Sequence, residues 1–266
     1  MLAVERRRRI AEIIRSRGVV AVAEMAETLG TSDITLRRDL RVMADQGLLM
    51  RTHGGAVLPA GLAHEPTYSE KASQAGAEKA AIARLAVSMV RAGDSIVLGP
   101  GTTTLALAHL LVDFPELTVV TNSLLVAQAL MPAGRVEVIL TGGTLRRSIH
   151  ALVGPAAEES LRSLRASQAF ISGNGLTAER GLSTPSPLVA AADRALAAAA
   201  QQIVVLADNT KVGLETMCQT VPLHQISILI TDDLADPQQV AAIREAGVEV
   251  RVAQVQGRPA SVGEIA

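Results

Sequence analysis

The chain has 266 residues, a formal net charge of −1, 48% hydrophobic residues and only 1% aromatic ones. That length accommodates a small and a medium domain, each with its own core, and two domains is the expectation. Aromatics limited to Tyr68, Phe114 and Phe170 exclude a base-stacking reader of single strands, a lone Cys218 excludes an internal disulfide, and no uncharged apolar run reaches the roughly 18 residues of a membrane span.

Charge is unevenly distributed. Residues 1–53 carry 10 arginines and 7 acids, against 15 bases and 19 acids in the remainder. All three lysines, Lys71, Lys79 and Lys211, lie outside the basic end. The planar fork of arginine suits phosphate and guanine edges, so the bias fits nucleic acid. Four arginines before IAEIIRSR break any apolar core of a secretory signal, and together with the cysteine usage this places the protein in the cytoplasm.

Ile10, Ile13 and Ile14 mark an amphipathic helix over about 4–17, and Val22, Met25, Ala26 and Leu29 a shorter one ended by Gly30. Ser32 is placed to cap a third helix that turns Leu36, Leu40 and Met43 inward. Thr35, Arg37, Arg38 and Arg41 are left facing out, where a helix-turn-helix presents its second helix to the major groove, and with Ser32 they are the candidate DNA contacts of this helix. The competing reading pairs Arg37 with Asp33 and Arg41 with Asp45 as ordinary solvated ion pairs. Two apolar runs around Gly54-Gly55 then predict a hairpin wing carrying Arg51 and His53.

Here the residues resemble a known family. SDITLRRDL, GLLMRTHGGAV, GPGTTTLALA, VVTNS, TGGTLR and LVGPAAE, in that order over about residues 5–253, are similar to the DeoR family of bacterial transcriptional regulators. The resemblance implies a winged helix-turn-helix followed by a sensor domain similar to ribose-5-phosphate isomerase.

Residues 59–77, rich in Pro, Gly, Ala and Ser, read as a linker between domains 1–58 and 78–256, with 257–266 as a tail. A helix over about 78–91 follows. SIVLG, LTVVT, VEVILT, QAFISG, IVVLAD, ISILIT and VEVRVA then alternate with alanine-rich helical segments, which predicts an α/β fold with a mainly parallel sheet.

Ligands of such sheets bind at the carboxyl ends of the strands. The loops expected there are rich in glycine, hydroxyls and asparagine, a composition that suits an anion. By motif, the candidate effector contacts are Gly101, Thr102, Thr103, Thr104, Thr121, Asn122, Ser123, Gly142, Gly143, Asn174 and Lys211. The chain also departs from the family pattern. Gly99 replaces a usual Asp, Asn174 the Asp of G-x-D-G and Ala191 a frequent Glu, while Asp193 stands where a basic residue is usual. An anion is still expected, but the rest of the effector need not be an ordinary open-chain sugar phosphate.

The expected protein is therefore a repressor of a carbohydrate or related catabolic operon. It would bind a double-stranded operator as a homo-oligomer (dimer or tetramer) and answer to a small phosphorylated metabolite, with no cofactor, metal or membrane partner. The alternative is an isomerase-like phosphosugar enzyme, for which Asp208 and Lys211 remain as acid/base groups. His53, His64, His109, His150 and His224 show no metal-ligand spacing.

Overall fold

The structure, a computed structural model, describes residues 3–17, 19–45, 49–52, 55–57, 62 and 64–255. The expected tail, 257–266, lies outside the described residues. The chain forms two units, Met1–Gly61 and Leu62–Ala266.

In the first unit, helices α1 (Ala3–Arg17), α2 (Val22–Leu29) and α3 (Asp33–Asp45) enclose a core of Ile10, Ile14, Met25, Leu36, Leu40 and Met43, each at most 2% exposed. The periodicity that marks these helices is the face they bury. Gly30, at φ 59°, ends α2 in the left-handed region, and the N–H groups of Gly30 and Thr31 return to Glu27 O and Ala26 O. This tight glycine stop aims α3 away from α2. Strand β1 (Val19–Ala21), which the periodicity does not reveal, pairs with β3 (Gly55–Val57), and β3 pairs with β2 (Met50–Thr52) in register Arg51↔Ala56. The wing is thus the outer part of a three-stranded sheet in the order β1-β3-β2.

The second unit begins earlier than expected. Within the supposed linker, Thr67 caps a short helix, α4 (Tyr68–Ala72), in a capping box with Glu70, and α5 (Gly76–Val87) starts two residues before the predicted helix and ends four before it. Residues 64–77 belong to the second unit because polar anchors, not an apolar face, tie them down. Glu65 Oε2 accepts from Arg146 Nε and Nη2 at 2.8 and 2.6 Å and from Ser148 Oγ at 3.2 Å. Tyr68 N donates to Ser148 O at 2.7 Å, and its ring meets His150 edge-on at 5.3 Å.

Strands β4 (Ser95–Leu98), β5 (Leu117–Thr121) and β6 (Val136–Leu140), with helices α6 (Thr102–Leu110) and α7 (Leu124–Leu130), form one half of the main sheet. A hairpin, β7 (Thr144–Arg146) and β8 (Ala151–Val153), and helix α8 (Pro155–Arg162) lead to β9 (Ala166–Ile171). Strands β10 (Gly175–Thr177) and β11 (Gly181–Thr184) join β13 (Cys218–Val221) in a small antiparallel sheet; between them come α9 (Pro187–Ala198) and β12 (Ala200–Leu206). The sheet closes with β14 (Ile228–Asp232), α10 (Pro237–Glu245) and β15 (Glu249–Ala253).

The main sheet has seven strands in the order β15-β14-β12-β9-β4-β5-β6, and every pairing is parallel. Its members are the seven apolar runs read from the sequence. Alternate residues feed two cores: Val97, Ala169, Ile171, Val205 and Leu229 on one face, Ile96, Leu98, Phe170, Val204 and Ile230 on the other. Burial on both faces makes such strands continuously apolar. Chain direction across the sheet reverses between β4 and β9, the switch point of a doubly wound fold, where the loops after two neighbouring strands diverge and open a crevice.

Candidate functional site: a switch-point pocket and an arginine-faced helix

A polar pocket occupies that crevice. Pro100, Gly101, Thr102 and Thr103 line it from the loop after β4, and Ser172, Gly173 and Asn174 from the loop after β9. Asp208 and Lys211 follow β12, Asp193 comes from α9, and Glu65, Tyr68 and Lys71 reach it from the segment around α4. Gly101, whose φ of 150° favours glycine, is the N-cap of α6, and no side chain caps the helix's first N–H groups. Gly101, Thr102 and Thr103 thus bring a helix N-terminus, the positive end of the helix dipole, to the pocket wall.

The structure therefore brings together Gly101, Thr102, Thr103, Asn174 and Lys211 of the expected contacts. Thr104 is fully buried and its hydroxyl donates to Gly101 O at 3.1 Å. Thr121, Asn122 and Ser123 serve the scaffold: Thr121 Oγ1 donates to Leu98 O at 2.7 Å, Asn122 Nδ2 to Leu152 O at 2.9 Å, and Ser123 Oγ caps α7 through Val126 N. Gly143 adopts φ 122°, where an added Cβ would lie 2.8 Å from Val153 O, and Gly142 sits beside Ala156. Both follow β6, the sheet edge, two strands from the switch point.

Sequence reasoning missed Glu65, Tyr68, Lys71, Ser172 and Thr184, and treated Asp193 only as a departure from the family. Although Gly99, Asn174 and Ala191 carry no carboxylate, the pocket is lined by three, Glu65 before α4, Asp193 on α9 with Ala191, and Asp208 after β12. Two of these acids are engaged, Glu65 with Arg146 and Ser148 and Asp208 Oδ1 with Thr210 N at 3.0 Å. Asp193, 2% exposed, has an Oδ1 with no protein partner, and Asn174 Nδ2 is likewise buried and unpartnered, although Asn174 Oδ1 accepts from Thr184 Oγ1. One acceptor and one donor are thus left for something that enters the pocket.

Burial pushes the Asp193 carboxyl up to about 7, against the pull of Lys71 and Arg194. Burial, with Lys211 adding like-charge repulsion, brings the Lys71 ammonium down to about 8. Lys79 is lowered for the same two reasons, desolvation first; its Nζ donates to Lys71 O and to Gln74 O, holding the turn that presents Lys71. All three lysines of a chain with 25 basic residues therefore act electrostatically on one another at this place. Clustered cations that repel each other in a partly desolvated site favour an anion. Among the described residues no group of histidine, cysteine or acidic side chains could hold a metal ion.

On α3, Ser32 Oγ accepts from Thr35 N at 3.3 Å and lies 2.9 Å from Thr35 Oγ1, so both expected contacts take part in the cap. Arg37, Arg38 and Arg41 are exposed. Among the described residues no ion pair joins Arg37 to Asp33, which leaves its guanidinium available, while the side chain of Asp45 lies outside the described residues. Asp39 instead is buried between Arg6 and Arg7 of α1. Arg51 lies on β2 with its side chain outside the described residues, as is His53 altogether.

A winged helix with an arginine-faced second helix, and an α/β unit with an anion-suited pocket at its switch point, define a ligand-responsive DNA-binding regulator. Residues 6–60 match the DeoR-like helix-turn-helix domain and residues 74–233 the DeoR C terminal sensor domain. The chain belongs to the DeoR family and is a DNA-binding transcriptional regulator, not an enzyme. It is 40% identical to the HTH-type transcriptional regulator YgbI of Escherichia coli over 88% of this chain and 91% of that one, and 38% identical to the regulator GlpR of Haloferax volcanii over 94% and 98%. The glycerol-3-phosphate regulon repressor of Escherichia coli is 30% identical over 87% and 92%. Among solved structures, ribose 5-phosphate isomerase A of Methanocaldococcus jannaschii resembles it with a TM-score of 0.38 at 17% identity, over 50% of this chain and about half (52%) of that one. No helix among the described residues is long and apolar enough to cross a membrane.

Proposed function

We propose that the protein represses a carbohydrate-related catabolic operon in the cytoplasm, binds a two-fold duplex operator as a homo-oligomer, and is controlled by a phosphorylated, hydroxyl-bearing small molecule in the switch-point pocket. The observation that carries the effector reading is the uncapped start of α6 at Gly101–Thr103 facing the same pocket as Lys71 and Lys211. Backbone N–H groups and two cations suit a phosphate dianion. Asp193 Oδ1 and Asn174 Nδ2, an unpartnered acceptor and an unpartnered donor on residues lining the same pocket, suit hydroxyls of the same ligand. Similarity to a repressor named for glycerol-3-phosphate agrees with a phosphorylated effector.

The pocket has a volume of about 30 Å³, room for two or three waters at roughly 10–15 Å³ each. A phosphorylated metabolite therefore has to move the lining, and the segment with Glu65, Tyr68 and Lys71 is the part held by polar anchors without an apolar face of its own. It follows directly on the DNA-binding unit in the chain. Such a displacement gives the ligand unequal affinity for two arrangements, as allosteric control requires. Calorimetric titration of the full-length protein with triose, tetrose, pentose and hexose phosphates, and with the same compounds unphosphorylated, tests the reading. Binding of at least one phosphorylated compound, lost in Lys211→Ala and absent for its dephosphorylated form, is expected; equal binding of both forms overturns it.

A further inference from the structure

Helix α3 buries Leu36, Asp39, Leu40 and Met43, and at roughly 100° per residue the opposite side is centred on position 34. Ile34 stands there, 82% exposed, flanked on the helix surface by Arg37, Arg38 and Arg41, themselves exposed. Among the described residues of the first unit it is the one large hydrophobic side chain left in solvent. Core packing does not explain it, because Ile10, Ile14 and Met25 close the core on the other side of α3. Helix propensity does not explain it either, since β-branched residues are weak helix formers.

The setting supplies a use. Position 34 lies in the first turn of a recognition helix, the part that meets base edges in the major groove. Three arginines around it draw phosphates and guanines close, and the apolar feature that the groove offers between such contacts is the 5-methyl group of thymine. We propose that Ile34 reads a thymine methyl in each half-site and is a specificity-determining residue of the operator complex. The proposal rests on the DNA-binding function of this helix and assigns one base class to one side chain.

The test uses duplexes enriched from a random pool by the full-length protein, with each thymine of the enriched site replaced singly by deoxyuridine, which removes the methyl alone. One replacement per half-site should weaken binding about three- to fivefold, the worth of burying one methyl-sized group. Ile34→Ala should bind the thymine site correspondingly less well and no longer distinguish thymine from uracil there. Arg38→Ala should bind more weakly yet keep the distinction. The substitution at an exposed position should leave the melting temperature unchanged, which separates lost reading from lost folding. Uracil tolerated at every position, or the same sensitivity in Ile34→Ala as in the parent, overturns the proposal. A pool that shows no enrichment overturns it as well, by removing the DNA-binding function on which it rests.

Discussion

Arg7 Nε donates to Oδ1 of Asp39 at 2.9 Å, across the contact between α1 and α3, while Arg6 Nε takes the other carboxylate oxygen at 2.5 Å. Asp39 is 3% exposed, whereas the two arginines keep part of their surface in water. Removing the acid takes this carboxylate from both cations. Asp39→Ala should destabilise the first unit by about 1–3 kcal/mol, allowing for solvent screening at the arginines. Hydrogen exchange on the full-length protein should quicken at α1 and α3 amides and stay unchanged in the seven-stranded sheet.

The arginines on the outward face of α3 have a different duty. Arg38→Ala should weaken operator binding at least tenfold. If Arg38 holds a phosphate, the slope of log affinity against log salt should also fall by about one; if it reads guanine, discrimination at one base pair should fall by about 1–3 kcal/mol. Fluorescence anisotropy across a salt series reads both, and unchanged affinity would remove Arg38 from the interface.

Asp193 and Lys71 make stability depend on pH in two windows. The Asp193 carboxyl titrates at about 7 in the folded protein against 3.8 ordinarily, so between those values the folded state holds a proton that the unfolded state lacks, and stability falls as pH rises. Lys71 titrates at about 8 against 10.5; between these the unfolded state holds the extra proton, and stability rises with pH. The melting temperature should drop by several degrees from pH 5 to 7.5, at about 2–4 °C per kcal/mol for a unit of this size. Asp193→Asn should flatten that fall, and a parent protein with no decline across it would contradict the assignment.

Thr102 and Thr121 separate ligand contact from scaffold. Thr121 Oγ1 both donates to Leu98 O and accepts from Ser123 N, so Thr121→Val should cost about 1–3 kcal/mol of stability. Its phosphorylated-ligand affinity, measured on folded protein, should change less than twofold. Thr102→Val, at the pocket wall, should leave the melting temperature in place and weaken the same ligand at least fivefold.

The contrast between those threonines marks the limit of what an amino-acid sequence makes legible. All seven strands of the main sheet are legible: inner strands because burial on two faces favours an apolar run such as that around Ile228–Ile230, and the edge strands β6 and β15 because β-branched residues alternate with polar ones in VEVIL and EVRVA. The helix-turn-helix is legible because Gly30, Ser32 and the Leu36–Leu40–Met43 stripe are local signals. Which loops converge is not, since strand order is a long-range property: Thr102 and Thr121 both stand where an apolar strand runs into a hydroxyl-rich loop, and the reversal between β4 and β9 puts Thr102 at the pocket while Thr121 bonds to the scaffold. The segment around α4 carries no periodic signal because that helix has five residues, of which only Tyr68 and Lys71 are partly buried, so Glu65, Tyr68 and Lys71 pass for linker. Ile34 is hidden for the opposite reason: an apolar residue beside Leu36 reads as core until the helix is turned to show which face it occupies.

The link between pocket and operator is tested most directly by titrating the operator complex of the full-length protein with the phosphorylated compound that binds it, following anisotropy of a labelled duplex. The operator dissociation constant should change at least fivefold on saturation, and Lys211→Ala should abolish the response while binding the duplex as the parent does. An operator affinity unaltered by saturating ligand, or an undiminished response in Lys211→Ala, would contradict control through this pocket.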